Sequence, residues 1–341
     1  VVRAAEEDTV LEFGLRRAQG PDAGIYGARA AVIGGCHATS NVLTGQMFNV
    51  PVAGTHAHSW VMSFDHEIDA FRAYAKLFPN KCILLVDTYD TLGQGVPNAI
   101  QVFDEMKAAG ISMDSYGIRL DSGDLAYLSK QARRMLDDAG HEDAVISASC
   151  DLDEYLIADL KRQGAEISLW GVGTKLITSD DCPSFGGIYK LAAERKTGGE
   201  FIPKIKISDN PEKVTNPGIK KVLRIYDKTT GKLKVDLIAL EEETIDTNQD
   251  LVVRDPKARW KKMKLKAGQY TVRELLVPIF RGGKCVYESP QVMDIRSYAK
   301  EELETLWDEY KRLINPASMP VDLSDDLYYL KERMLDAYKT E

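Results

Sequence analysis

Residues 116–124 read Tyr-Gly-Ile-Arg-Leu-Asp-Ser-Gly-Asp. The stretch begins as an apolar strand, Tyr116–Leu120, and ends in two carboxylates, a hydroxyl and a glycine. A helix follows at once. Leu125, Leu128, Ala132 and Leu136 recur three to four residues apart, which predicts a helix over Leu125–Ala139. Outward in both directions the same pattern repeats. Strands are expected at Val50–Thr55, Cys82–Val86, Val145–Ser149 and Glu166–Gly171, and helices at Trp60–Leu77, Asn98–Ala109 and Glu154–Gln163. Strand–helix alternation through short Gly-containing connections implies parallel strands with helices packed outside, as a barrel or an open doubly wound sheet.

After Thr178 the texture changes. Pro183, Pro203, Pro211 and Pro217 punctuate shorter β-like runs at Ile188–Ala193, Val222–Tyr226 and Lys234–Leu240. Helices are expected at Tyr298–Leu313 and Ser324–Tyr338. The expected division is an α/β barrel core over residues 1–195 and an α+β region over 196–341. The basic tract Asp255–Tyr270 reads as a solvated hairpin or loop, because charge runs usually lie at the surface.

The chain has 341 residues and a formal charge of −8. An acidic chain lacks the positive field of a general nucleic-acid binder, so no nucleic-acid partner is expected. No apolar run reaches the roughly 18 residues that cross a bilayer, so no membrane association is expected. The five cysteines are scattered and form no CxxC pair, which fits a reducing cytoplasm. The chain opens Val1-Val2-Arg3 without an initiator Met, which suggests a piece of a longer protein.

Function is legible in the strand ends. Val52-Ala53 runs into Gly-Thr-His-Ala-His (54–58), and Cys82–Val86 into Asp87-Thr88-Tyr89-Asp90. Tyr116–Ile118 runs into Arg119-Leu120-Asp121-Ser122-Gly123-Asp124. Val145–Ser147 runs into Ser149-Cys150-Asp151, and Ser168–Trp170 into Gly171-Val172-Gly173-Thr174. In parallel α/β folds the carboxyl ends of the strands share one rim, so these loops converge. His, Arg, Asp, Ser, Thr and Gly gathered there suit an anionic, phosphorylated substrate. Strand ends also need turn and cap residues, and Asp124 or Ser122 is expected to cap the helix from Leu125. Gly171 and Gly173 let the backbone approach a phosphate, and Thr174 can donate to it. Arg119 can grip a carboxylate or phosphate in two-pronged fashion. His58 is the histidine placed to act as base or nucleophile. His56 is given no role, and His141 is expected in a surface turn.

Taken in order, E-F-G-L-R-R (Glu12–Arg17), A-T-S-N (Ala38–Asn41), G-T-H-A-H-S (Gly54–Ser59), L-V-D-T-Y-D (Leu85–Asp90), R-L-D-S-G-D (Arg119–Asp124) and G-V-G-T (Gly171–Thr174) resemble the nicotinate phosphoribosyltransferase family over nearly the whole chain. The resemblance implies a type II phosphoribosyltransferase: an irregular TIM-like α/β barrel plus an α+β sandwich domain completed by the C-terminal part. It implies that nicotinate and phosphoribosyl diphosphate give nicotinate mononucleotide and diphosphate, coupled to ATP hydrolysis, with Mg²⁺ on the phosphates and a homodimer as the assembly. By position it implies that His58 becomes phosphorylated and that Asp121 is catalytic. It places Thr55 and Arg119 on nicotinate, and Arg16, Asp151, Gly173 and Thr174 around the phosphoribosyl diphosphate; metal ligands are not assigned. Members of the family carry a further N-terminal domain, which is not in this sequence and would be a partner. The alternatives are a nicotinamide phosphoribosyltransferase and a non-catalytic phosphate-ligand barrel fragment.

Overall fold

A computed structural model describes residues 1–210 and 213–339; Pro211 and the expected domain limit at Glu341 lie outside the described residues. The chain forms two compact units. One comprises Val1–Phe185 with Pro290–Lys300, the other Gly186–Ser289 and the chain from Glu301 onward. The expected domain limit at 195 falls inside the second unit.

The first unit runs α1 (Val2–Ala5), β1 (Thr9–Glu12), α2 (Pro21–Ile33), β2 (Ala38–Thr39), α3 (Val42–Phe48), α4 (His58–Met62), α5 (Glu67–Leu77), β3 (Cys82–Leu85), α6 (Val96–Ala108), β4 (Tyr116–Leu120), α7 (Leu125–Asp138), β5 (Val145–Ser149), α8 (Glu154–Arg162), β6 (Leu169–Val172) and α9 (Thr174–Thr178). Its six strands form one parallel sheet in the order β2-β1-β6-β5-β4-β3. The sheet curls into a half-barrel, the mixed α/β architecture the sequence implied. Three helix starts, those of α3, α7 and α8, follow the capping rule. Asn41, Asp124 and Asp153 each accept the backbone N–H three residues on, from Thr44 (3.2 Å), Tyr127 (2.9 Å) and Leu156 (2.8 Å). Leu84, Leu85, Ile118, Leu120 and Ile146 are wholly buried in the strands, and Phe71, Phe103 and Leu136 come from the helices around them.

Several expected elements differ. Val50–Thr55 contributes only a single bridge, Val52 to Thr39, because Pro51 has no N–H to donate and the run ends at Gly54. Trp60–Leu77 is two helices rather than one, since the chain turns at Ser63, whose hydroxyl bonds back to the Trp60 carbonyl (2.7 Å). His141 is not in a surface turn: it is fully buried, with Nδ1 3.2 Å from the Tyr116 hydroxyl and Nε2 3.1 Å from Asp104.

The second unit holds a two-stranded ribbon, β7 (Ala193–Arg195) with β8 (Phe201–Pro203), and then β9 (Lys220–Asp227), β10 (Leu233–Leu240), β11 (Leu251–Arg254), β12 (Lys262–Leu265), β13 (Tyr270–Glu274), a short ribbon of β14 (Phe280–Arg281) and β15 (Lys284–Cys285), and β16 (Val321–Ser324). Six of these form a mixed sheet in the order β12-β11-β16-β10-β9-β13. One core gathers Leu223, Ile225, Val235, Leu237 and Val253. Leu323, Leu327 and Tyr328 pack with Ile238 and Leu240 on a second, where the C-terminal helix Asp325–Lys339 lies. The expected strand at Ile188–Ala193 does not form; its side chains, such as Tyr189, stand in solvent. The helix expected at Tyr298–Leu313 lies instead at Val292–Thr305, because the Trp307 indole is engaged with the Leu233 carbonyl (2.9 Å) and the chain there tightens into a 3₁₀ turn. The basic tract runs through the β11–β12 hairpin and the turn after it, with Arg259 paired to Glu332, Lys261 to Asp255, and Lys264 and Lys266 to Asp250.

Candidate active site

The strands of the first unit end on one face, and a cavity of about 690 Å³ opens there. Arg16, Thr55, His58, Arg119, Asp121, Asp151, Gly173 and Thr174 all line it. The geometry therefore brings the eight residues for which the resemblance implied site roles to one place. Phe13, Arg17, Ser40, Ser149 and Cys150 join them.

β4 and its following loop set the centre. Arg119 sits beside Ser147 in register and points into the curl of the sheet. Its Nη1 donates to the Thr55 hydroxyl, and its Nε has no acceptor among the described residues. Burial pushes the guanidinium below its ordinary range, while Asp121 and Asp87 pull it back up from a distance. Among the described residues no carboxylate comes within ion-pair distance of it. Two residues on, Asp121 accepts from the Ser149 hydroxyl (2.5 Å) and places Oδ2 3.5 Å from His58 Nε2. Asp124 caps α7, so of the two carboxylates of this loop one lines the cavity and the other is a helix cap.

His58 opens α4. Its Nδ1 lies 3.1 Å from the Thr88 hydroxyl, which fixes the ring, and its Nε2 lies between Asp121 and Asp87, with Asp87 Oδ1 at 3.8 Å. The Asp87 side chain is 1% exposed. Its Oδ2 accepts from the Asp121 N–H (2.8 Å) and the Ser122 hydroxyl (2.7 Å), tying the end of β3 to the β4 loop. Its Oδ1 has no hydrogen-bond partner among the described residues. Asp87, Thr88 and Ser149 stand among the strand-end residues named from the sequence, but no individual role was assigned to them there. Their signal was their place directly after β3 and at the end of β5, the same positional cue that marked the others.

The glycines of the Gly171–Thr174 turn do different work. A Cβ on Gly171 would stand 2.6 Å from the Phe13 ring, so that glycine makes room for Phe13. A Cβ on Gly173 would stand 3.3 Å from the Phe13 carbonyl oxygen, so the turn and the Phe13–Arg17 loop run in close contact. Arg16 and Arg17, in a 3₁₀ turn over Leu15–Arg17, face the same cavity.

This set of loops has counterparts of known kind. A sequence model described as the nicotinate phosphoribosyltransferase family matches residues 9–230, and one for the C-terminal domain of nicotinate phosphoribosyltransferase matches 219–331. The nicotinate phosphoribosyltransferase of Bacillus subtilis is 47% identical over 98% of this chain. The chain belongs to the nicotinate phosphoribosyltransferase family. The enzyme of that name from Dictyostelium discoideum is 33% identical over 95% of the chain. The crystal structure of human nicotinic acid phosphoribosyltransferase superposes with a TM-score of 0.79 at 29% identity, covering 98% of this chain and 72% of the human one. The chain spans 67% of the Bacillus relative and 62% of the Dictyostelium one. No helix among the described residues is long and apolar enough to cross a membrane.

Proposed function

We propose that the protein containing this chain is a nicotinate phosphoribosyltransferase: nicotinate, phosphoribosyl diphosphate, ATP and water give nicotinate mononucleotide, diphosphate, ADP and phosphate, the entry of nicotinate into NAD synthesis. The observation that carries this reading is the half-buried Arg119 guanidinium at the cavity wall, its Nε shielded from solvent, oriented by Thr55 and without a carboxylate partner among the described residues. An unpaired buried cation is costly and calls for an anion. The carboxylate of nicotinate supplies one, and the neutral amide of nicotinamide does not.

The rest of the cavity follows from the chemistry. The pyridine nitrogen attacks the anomeric carbon of the ribose, and the bond to the diphosphate oxygen breaks. Asp121 is placed to offset the positive charge that develops on the sugar or to hold a ribose hydroxyl. Arg16, Asp151, Gly173 and Thr174 surround the phosphoribosyl diphosphate. His58, its Nδ1 held by Thr88, presents Nε2 as the phosphoryl acceptor from ATP. Mg²⁺ suits the oxygens that flank that nitrogen: Asp87 Oδ1, which lacks a partner, and Asp121 Oδ2. Two carboxylates with substrate phosphates and water make an ordinary magnesium environment, and the ion would neutralise charge on the leaving diphosphate. A homodimer in the cytoplasm fits this reading, and the five unpaired cysteines support a reducing compartment. The test is turnover of the intact natural protein with nicotinate against nicotinamide, with and without ATP. Nicotinate mononucleotide formation stimulated by ATP is the expected result. Turnover of nicotinamide alone would favour the amide enzyme, and binding of phosphoribosyl diphosphate without turnover would favour a non-catalytic barrel.

A further inference from the structure

Glu12 ends β1 and is 0% exposed. A carboxylate at that depth usually has a cation beside it, yet among the described residues none lies within ion-pair distance. Its two oxygens are used otherwise. Oε1 accepts from the Gly14 N–H, and Oε2 accepts from the Thr39 hydroxyl at 2.6 Å. The Thr39 oxygen in turn accepts from the Asn41 N–H (2.9 Å), and the Ser40 N–H donates to the Glu12 carbonyl (2.9 Å). One side chain thus joins the exits of two neighbouring strands, β1 and β2.

Both exits lead to the cavity rim. Gly14 is the residue on which the Leu15–Arg17 turn is built, since its carbonyl accepts from the Arg17 N–H (2.8 Å). A Cβ on Gly14 would stand 2.4 Å from the Ile177 Cβ, so the turn is pressed against α9. Past Thr39, Ser40 lines the cavity beside Arg16 and Arg17.

We propose that Glu12 is a positioning residue: by holding Gly14 and Thr39 together, it sets Arg16, Arg17 and Ser40 at the reach of the phosphoribosyl diphosphate. The inference rests on the phosphate reading of this rim given above. Glu12 touches no substrate and carries none of the chemistry. Its carboxylate is suited to the task because two donors from two different loops converge on it and water is excluded; an apolar side chain would leave both donors unpaired.

The experiment compares Glu12→Met with Glu12→Gln in the intact natural protein. Methionine keeps the shape and removes both acceptors. Glutamine keeps one acceptor for Gly14 and offers its amide N–H to the Thr39 oxygen, so it serves as the conservative rescue. The expected result for Glu12→Met is a dissociation constant for phosphoribosyl diphosphate raised about tenfold, with nicotinate binding within about twofold of wild type. Amide exchange at residues 13–17 quickens without any substrate present. Glu12→Gln stays within about threefold of wild type for both ligands. Should Glu12→Met fail to fold, Thr39→Val removes one of the two donors and is expected to move the same two readouts in the same direction. An equal loss for both substrates, or unchanged exchange at 13–17, overturns the role of Glu12. Arg16→Ala and Arg17→Ala test the underlying reading separately: if both bind phosphoribosyl diphosphate as wild type does, the phosphate assignment of the rim fails, whatever the exchange data show for Glu12.

Discussion

Arg119 and Thr55 meet across the mouth of the parallel sheet, 64 residues apart in sequence, with the guanidinium donating to the hydroxyl oxygen. The Thr55 proton is committed to the His56 carbonyl (3.1 Å), so the hydroxyl is left to accept. The result is a cation that is oriented but not neutralised. This is a poor arrangement for stability and a good one for selecting an anion.

Replacing Arg119 with methionine therefore separates the two pyridines. The KM for nicotinate is expected to rise about ten- to a hundredfold, since a hydrogen bond to a charged group contributes about 1.5–3 kcal/mol. Turnover of nicotinamide should stay at its former trace level or rise. Thermal stability should hold or increase, because a half-buried cation without a carboxylate partner is replaced by an apolar chain. Competition assays with the two pyridines, beside a melting curve, check all three. An unchanged nicotinate preference would remove Arg119 from substrate selection.

The half-barrel was legible because its strands are short apolar runs bounded by turn residues. Tyr116–Leu120 and Val145–Ser149 lie where periodicity placed them, since continuous burial leaves little freedom in register. The rim residues were legible for a topological reason: parallel strands force their ends together. Two kinds of feature were hidden. β16 contains Asp322 and follows Pro320, so nothing local marks it; its parallel pairing with β10 and antiparallel pairing with β11 make it a strand. Glu12 and Asp87 look like ordinary acids in sequence, and only burial shows that each joins two loops. Long-range pairing of that type leaves no local signature.

The ring of His58 depends on Thr88. Replacing Thr88 with valine keeps volume and removes the hydroxyl 3.1 Å from Nδ1. The imidazole then loses its tautomer and orientation control while the fold is untouched. A kcat decrease of about tenfold with little change in substrate KM is the expected outcome, in line with about 10–100-fold for losing a partner that orients a functional histidine. Phosphoryl incorporation at His58 should slow in parallel, read by rapid-quench labelling from ATP. Full-rate incorporation in Thr88→Val would show that Thr88 does not set the ring.

Gly171→Ala tests packing at the rim. Its new methyl would stand 2.6 Å from the Phe13 ring and 3.3 Å from the Ser149 Cβ, so Phe13 must shift. Overpacking of this size destabilises by about 1–3 kcal/mol. A lowered melting temperature with a raised KM for phosphoribosyl diphosphate is expected, because Phe13 begins the arginine loop. Gly186→Ala, where a Cβ would meet nothing within 4 Å, is the matched control and should leave both unchanged.

His56 makes stability depend on pH in a defined window. The Leu85 N–H donates to its Nε2 (3.2 Å), so the ring joins the loop after Val52 to β3, at the open margin of the curled sheet. An accepting nitrogen carries no proton, and burial holds the imidazole neutral, with its pKa pushed down to about 4. The sign follows from proton uptake. Above the ordinary histidine value near 6.5 both folded and unfolded chains are neutral at this site, and its full contribution is present. As pH falls from there toward 4, the unfolded chain binds a proton that the folded one excludes, and stability drops. The loss from this one group is about 2 kcal/mol by pH 5. Urea unfolding at pH 7 and pH 5 measures it. His56→Gln, whose side-chain oxygen can still accept from Leu85, should remove that share of the pH dependence while keeping most of the stability at pH 7. If wild type and His56→Gln lose stability equally between pH 7 and pH 5, the imidazole is not the neutral acceptor that closes this margin.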